Sequence, residues 1–387
     1  MALLTVVADD LTGALDTGVK FCGEGRVVSV HWHVATAPCD VLAIDTDSRG
    51  LPVEQAAALV TRRAQDVRGA AYKKVDSTLR GPFAAESWAL AQAMGLRGVL
   101  LAPASPAQGR SVRGGNLYVH GQPLVQAGFA SDPTGSPGAS DVAAIVAAQV
   151  RVEVAHLGLG AIRAGAGAVA DALSERRGVV VADSESDTDL LTLARALGLA
   201  AGWLPCGSAG LAQAIATERG WHPAPARLTA DVRPQLAVCG SHNSASRVQV
   251  SSLAAALGLT PVQAGSEAET RAALLEQLRT YTVAVGVLPA VSLSRAEATA
   301  ALQSLARAAA GLVRSESLHS LFVTGGETLK LVADRLQVTG LQPVGELQPG
   351  VVLSRAAVSF GEPLSIISRA GGFGDAGLLV RLMAPAA

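Results

Sequence analysis

The sequence predicts an α/β protein built of two doubly wound α/β domains with mostly parallel sheets. Three observations carry this expectation. Short uncharged runs of aliphatic and β-branched residues alternate with longer Ala/Leu-rich stretches, the pattern of strands and helices in βαβ units. Several of the runs end abruptly in clustered polar residues, as parallel strands do where their carboxyl ends border a ligand crevice. The alternation then breaks at 218–234, ERGWHPAPARLTADVRP, where three prolines and five charged residues intervene before it restarts. A chain of 387 residues also exceeds one ordinary core. The expected domains are 1–225 and 226–387.

In the first domain, apolar runs place strands near 3–8, 26–32, 41–45, 70–75, 98–102, 152–157 and 178–183. Stretches rich in Ala and Leu place helices near 13–22, 52–67, 83–95, 164–175 and 187–199. Residues 111–140 interrupt the rhythm: SVRGGNLYVHGQPL reads as a hairpin and DPTGSPGAS as a Gly/Pro/Ser loop, a long insertion of the kind that lies over a site. The longest uncharged stretch, Ala196 to Thr217, is broken at Pro205-Cys206-Gly207-Ser208, so it reads as strand, turn and helix rather than a membrane span. Beyond the boundary, strands are expected in QLAVCGS (235–241), TVAVGVL (282–288) and LFVTGGE (321–327), separated by long helices.

Composition excludes several function classes. With 49 % hydrophobic and 16 % charged residues and a net charge of −1, the chain is a compact globular protein with no electrostatic case for nucleic acid or a membrane surface. Aromatic residues at 3 % leave no stacking platform for bases. Cys22, Cys39, Cys206 and Cys239 are far apart without a CxxC pair, which argues for thiols in a reducing cytoplasm rather than zinc or disulfides. The first residues lack a basic segment and reach two aspartates by position 10, unlike a secretory signal. His31 and His33 would share one strand face but lack a third metal ligand nearby.

The segment Lys73–Pro82, KKVDSTLRGP, packs three cations, a carboxylate and two hydroxyls into the end of an apolar strand. Charge so placed costs several kcal/mol unless paired or bound, so the cluster reads as a pocket for an anionic or polyhydroxylated molecule. Three more strand tips match it: Asp9-Asp10-Leu11-Thr12-Gly13 after 3–8, Asp45 to Gly50 after 41–45, and Ala104 to Arg110 after 98–103. In the second domain the tips are small and glycine-rich: Cys239 to Ser244, Thr324 to Thr328, and Arg369 to Asp375. Glycine admits close backbone approach and helix N-termini attract phosphate, which suggests a nucleotide's phosphates and sugar. No GxxxxGK[ST] is present, which argues against a P-loop. A loose dinucleotide-type loop follows VEVAHL, at Gly158, Gly160 and Gly165 with Asp183 downstream, but Arg163 stands where the third glycine belongs.

With these residues the chain resembles the four-carbon acid sugar kinases, enzymes that phosphorylate threonate, erythronate or their 3-oxo forms with ATP. The similarity runs through VVADDLTGALDTG, DTDSRG, KKVDSTLRGP, PASPAQGR, CGSAGLA, TGGETL and AGGFGD, in order and nearly end to end. It implies an acid-sugar domain followed by a nucleotide-binding domain. The ATP positions it implies are Ser241, Gly325, Gly326, Glu327, Thr328 and a glycine of the loop Gly371, Gly372, Phe373, Gly374. Departures from the family pattern are Arg369 where a lysine is common, His242 and Asn243 after Ser241, and Ala127 for a threonine before Asp132-Pro133.

Phosphoryl transfer needs alignment, charge neutralisation and exclusion of water rather than covalent help. Arg80, Arg110, Arg49 and Lys74 are the candidates for holding the substrate carboxylate and phosphate oxygens, with Arg80 expected to pair with the carboxylate. Asp9, Asp10 and Asp76 would accept from substrate hydroxyls, Ser77 and Gly109 complete the substrate set, and Asp10 is assigned as the base. Asp375 is the rival base, although a helix cap is its commoner role. Mg2+ is expected on the phosphates, without an all-protein metal cage. Since the charged tips and glycine loops belong to different domains, catalysis is expected to require domain closure. A homodimer is compatible with the sequence. An NAD-dependent dehydrogenase of a small hydroxy acid and a non-catalytic sugar-acid sensor are the alternatives; the nucleotide bound separates the three.

Overall fold

A computed structural model describes residues 2–23, 25–33, 38–127, 137–223, 225–241, 243–291, 293–359 and 362–384. The chain divides into two compact units, Met1–Pro223 and Ala224–Ala387.

In the first unit the strands are β1 (Leu4–Ala8), β2 (Val28–His31), β3 (Val41–Asp45), β4 (Ala70–Lys74), β5 (Gly98–Ala102), β6 (Arg110–Arg113), β7 (Asn116–Val119), β8 (Gln122–Pro123), β9 (Val154–Leu157), β10 (Gly178–Ala182) and β11 (Trp203–Gly207). The helices are α1 (Leu11–Gly18), α2 (Val53–Arg63), α3 (Phe83–Ala93), α4 (Val142–Ala147), α5 (Leu159–Arg163), α6 (Ala166–Ser174), α7 (Asp187–Leu199) and α8 (Ala209–Glu218). Eight strands form a parallel sheet in the order β2-β3-β1-β4-β11-β5-β10-β9. Every residue of β1, β3, β5 and β10 is buried, which is why these strands read as unbroken apolar runs: both faces are covered. Helices α2 and α3 pack together on one face, while α1, α8, α7 and α6 pack in succession on the other. Between β3 and β4 the chain crosses β1, so the strand order reverses there and opens a crevice at the carboxyl ends of β1 and β4.

The helix expected at 164–175 is present as α6, and the short α5 precedes it unforeseen, the two being divided at Gly165, whose φ of +113° takes it out of helical geometry. The expected hairpin is present as β6–β7, extended by the short β8. Residues 128–136, with most of DPTGSPGAS, lie outside the described residues. Helix α4 follows them unforeseen, its apolar VAAIVA too short to show a helical period.

The second unit holds β12 (Leu236–Cys239), α9 (Ser244–Leu257), β13 (Val262–Gln263), α10 (Glu267–Tyr281), β14 (Ala284–Val287), α11 (Arg295–Ser315), β15 (Ser320–Thr324), α12 (Gly326–Arg335), β16 (Leu341–Gln348), β17 (Val351–Ala356), β18 (Leu364–Arg369) and α13 (Leu378–Met383). Its strands run β13-β14-β12-β15-β18-β17-β16. The first five are parallel, and β18, β17 and β16 form an antiparallel meander. That meander was not expected. Strand β16, LQPVGELQ, carries Pro343 and Gly345 and two register shifts, which hide its alternation of buried and exposed residues. Helices α10, α11 and α12 pack in succession, and α9 pairs with α13. Phe322, Ile367, Leu253, Leu378 and Leu379 belong to the core between α9, α13 and the sheet. Again the switch, between β12 and β15, puts the first glycine tips side by side. No helix among the described residues is long and apolar enough to cross a membrane.

Close packing in the first sheet depends on Gly98, where a Cβ would collide with the Gly178 carbonyl oxygen and lie 2.7 Å from Trp203. Gly98→Ala should lower stability by about 1–3 kcal/mol, the usual cost of overpacking, read as a shift in denaturant midpoint. An unchanged midpoint would mean that β5 and β10 can separate without cost.

Candidate active site

At the carboxyl ends of β1, β3, β4 and β5 the expected residues come together. Asp9 and Asp10 leave β1, and Asp10 caps α1, accepting from Gly13 N (2.9 Å) and the Thr12 hydroxyl (2.5 Å). Arg49, in the turn after β3, donates from Nε and Nη2 to both oxygens of Asp9 (2.7 and 2.8 Å) and from Nη2 to Asp10 (2.7 Å). This fork holds two adjacent like charges in place. The turn itself is built by Thr46, which donates to the Ala8 carbonyl (2.8 Å) and meets the Ser48 hydroxyl at 2.6 Å.

After β4, Asp76 accepts from Arg80 Nε and Nη2 (both 2.8 Å), from Thr78 N (3.1 Å) and from the Thr78 hydroxyl. Leu79 (φ +58°) and Gly81 (φ +77°) turn the chain back so that Arg80 reaches Asp76. Ser77 is buried beside this pair. Burial alone would raise the Asp76 carboxyl, but the Arg80 guanidinium, with Arg49 and the Thr78 hydroxyl, holds it well below the usual carboxylate range. Asp9 is likewise lowered against its burial, by Arg49 first and then by Lys73 and Lys74. Arg110 opens β6 and donates to the Gln108 carbonyl; burial lowers it, and Asp76 and Arg80 both act on it, so the hairpin delivers its cation to the same place. Gly109 (φ +71°) is required by the hairpin, because a Cβ there would meet the His120 ring.

The two lysines of β4 have different roles. Lys73 is wholly buried, 2.8 Å from Glu86 of α3 and donating to the Lys74 carbonyl at 2.9 Å. Lys74, 4 % exposed, makes no ion pair or hydrogen bond among the described residues. Its ammonium lies beside the start of α1, 3.0 Å from where a Cβ on Gly13 would be. The Lys73–Glu86 pair went unforeseen; a glutamate in the otherwise apolar first turn of α3 was its only signal.

The second cluster lies after β12, β15 and β18. A Cβ on Gly371 would strike the Ser241 hydroxyl, and one on Gly240 the Thr328 hydroxyl, so the glycine backbones lie directly against these hydroxyls. Gly325 adopts φ +98° and enters α12 without a side-chain cap, leaving first-turn N–H groups for an anion. Gly326, Glu327 and Thr328 form that first turn. Gly374 (φ +82°) closes the last loop, and Gln249 of α9 donates to the Phe373 carbonyl (3.1 Å). Gly372 follows Gly371 near Asn243, which caps α9. Small backbone-lined loops converging on an uncapped helix fit the phosphates of a nucleotide. Arg369, noted in the sequence only as a departure, is buried and binds the Ala370 and Gly371 carbonyls (2.9 and 2.8 Å) and Ser246 (3.1 Å).

Other candidates are already engaged. Asp375 accepts from Gly377 N and pairs through both oxygens with Arg381, a turn-closing role before α13. Asp183 accepts from Gly114 N and Gly115 N and contacts His156 (each 2.9 Å), so it ties down the β6–β7 turn where a dinucleotide ribose would need it. His242 lies outside the described residues.

Acid should loosen the first cluster. Asp9 and Asp76 titrate below their ordinary 3.8 in the folded chain. Their stabilisation is therefore whole above the unfolded value, from about pH 5 upward, and is lost as pH falls through the folded values. Denaturant midpoints should fall below about pH 4, and Asp76→Asn should flatten that fall; an equal slope in the variant would refute it. Lys73→Met should cost about 3–5 kcal/mol by stranding Glu86, and the double replacement Lys73→Met, Glu86→Leu should recover much of it. Thermal melts in which the double variant is no better would count against the pairing.

A family model described as a sugar-binding N-terminal domain matches residues 4–215, and one described as a nucleotide-binding C-terminal domain matches residues 236–379. The chain is 33 % identical to D-threonate kinase of Bordetella bronchiseptica, covering 97 % of this chain and 95 % of that protein. It is 31 % identical to D-threonate kinase of Salmonella typhimurium (96 % and 95 %) and 30 % identical to 3-oxo-tetronate kinase of Methylobacterium radiotolerans (98 % and 98 %). A solved Haemophilus influenzae structure shares the fold with a TM-score of 0.72, at 20 % identity over 97 % of this chain and 98 % of that one. Similarity runs through both domains and nearly the full length, and the chain belongs to the four-carbon acid sugar kinase family.

Proposed function

We propose that this protein is an ATP-dependent kinase that phosphorylates the terminal hydroxyl of a four-carbon sugar acid: threonate, erythronate or a 3-oxo-tetronate. In this reading, residues 1–225 bind the acid and residues 226–387 bind ATP. The observation that carries it is the first cluster, in which Asp9, Asp10 and Asp76 are held by Arg49 and Arg80 while the buried Lys74, which acts on Asp9 through its field, makes no ion pair or hydrogen bond among the described residues. A site with its carboxylates already organised and one ammonium to spare suits a hydroxylated monoanion.

Lys74 and Arg110 are assigned to the substrate carboxylate, with Arg80, which keeps its fork on Asp76, beside them. Asp9, Asp76, Ser77 and the backbone at Gly109 orient the hydroxyls. Asp10 takes the proton of the attacking hydroxyl as its oxygen bonds to phosphorus and ADP leaves; its side chain is 19 % exposed against 1 % for Asp9 and 12 % for Asp76. Arg49 keeps Asp10 aimed. In the second domain Ser241, the Gly325–Thr328 turn and the Gly371–Gly374 loop hold the phosphates. Mg2+ supplies charge neutralisation on the phosphates, and its ligands would be phosphate oxygens and water.

ADP release with a panel of threonate, erythronate and 3-oxo-tetronate stereoisomers tests the reading; turnover of none of them in the presence of ATP and Mg2+ would refute it. Lys74→Met should weaken use of the acid by about 2–5 kcal/mol in kcat/KM while ATP affinity stays unchanged. Equal losses for acid and ATP would point to a folding role for Lys74.

A further inference from the structure

We propose that Arg369 is a positioning residue for the nucleotide phosphates, its buried guanidinium lending an uncompensated positive charge to the loops after β12, β15 and β18. The proposal rests on the reading that the second domain binds ATP.

The contrast with the first cluster makes the case. There the partly buried Arg49 and Arg80 and the buried Lys73 are each matched by a carboxylate: Asp9 and Asp10, Asp76, and Glu86. Arg369 is 2 % exposed and has no acidic partner among the described residues. Its donors go to neutral acceptors alone, the Ala370 and Gly371 carbonyls and the Ser246 hydroxyl, and its Nε has no hydrogen-bond partner among the described residues. The guanidinium carbon stands 5.9 Å from the centre of the Phe322 ring. The group that acts on it electrostatically is Cys239, itself pushed up to about 12 by burial and so neutral at physiological pH. Burial brings Arg369 down to about 10, which leaves it charged. An unmatched buried charge destabilises a fold unless an anion arrives to complete it.

Its position says where that anion goes. Arg369 ends β18, and its carbonyl accepts from Gly325 N (3.1 Å) at the entry to α12. Its side chain braces Gly371, which abuts Ser241, and Ser246 in the first turn of α9. Thr324, its cross-strand partner on β15, has a buried hydroxyl without a hydrogen-bond partner among the described residues. Each of the three loops thus touches Arg369 or a residue it holds. Being covered, the guanidinium acts through these loops and by its field.

Calorimetric binding of ATP, ADP, AMP and adenosine to the full-length protein and to Arg369→Gln and Arg369→Lys tests this. Arg369→Gln keeps a donor but loses the charge; it should weaken ATP about tenfold or more, ADP less, and adenosine by under about twofold. Arg369→Lys should keep most of the ATP-to-adenosine affinity ratio, even where absolute affinity falls, and this comparison stands alone if the Gln variant does not fold. Equal losses across all four ligands, no loss at all, or collapse of that ratio in the Lys variant overturns the proposal. Wild-type protein that binds none of the four overturns the nucleotide assignment and this inference with it. Weak acid-sugar turnover beside normal ATP binding bears on the substrate reading alone.

Discussion

Arg49 donates to both oxygens of Asp9 and to Asp10, and this fork is the constraint on which the first site depends. Two adjacent carboxylates at the end of a buried strand repel each other and lose hydration, a cost that a shared cation offsets. The guanidinium supplies that cation from the turn after β3, a neighbouring strand in the sheet. Parallel pairing of β1 with β3 therefore has a chemical consequence. The register Ala8↔Asp45 brings the two tips level, so residues 39 and 40 positions apart in sequence become hydrogen-bonding neighbours.

The Asp76–Arg80 pair repeats the device within one tight turn after β4, and Lys73–Glu86 repeats it below the surface of the site. These pairs add little net stability, because desolvation offsets most of their attraction; what they supply is fixed direction for charged groups before substrate arrives. Lys74 stands apart, a buried cation that forms no ion pair among the described residues. In the second unit the arrangement differs: the loops are glycine-rich, no carboxylate pairs with Arg369 among the described residues, and in the proposed reading the ligand brings the negative charge.

The two halves use one architectural rule for different ligand chemistries. Each places its site at a switch in strand order, beyond the carboxyl ends of parallel strands. The first fills the crevice with long charged side chains that can grip hydroxyls and a carboxylate. The second lines it with Gly240, Gly325 and Gly371, small residues that suit the close approach of backbone N–H groups to an anion in the proposed reading.

Much of this was legible in the sequence, for a physical reason. A parallel strand covered on both faces must be apolar along its length, so LTVVA, VLAID and GVLLA announce themselves, and the polar residues that end each one mark the crevice. Local chemistry likewise exposed the glycine loops and the family motifs. Tertiary structure alone decided which charges pair. Glu86 meets Lys73 only because α3 lies over β4, and only packing leaves Arg369 without an acid among the described residues. It also decided the meander β16–β18, since an edge carrying Pro343, Gly345 and two register shifts has no clean period of two. Strand and turn preferences are local and can be read along the chain; the neutralisation of a buried charge depends on neighbours brought from elsewhere by packing.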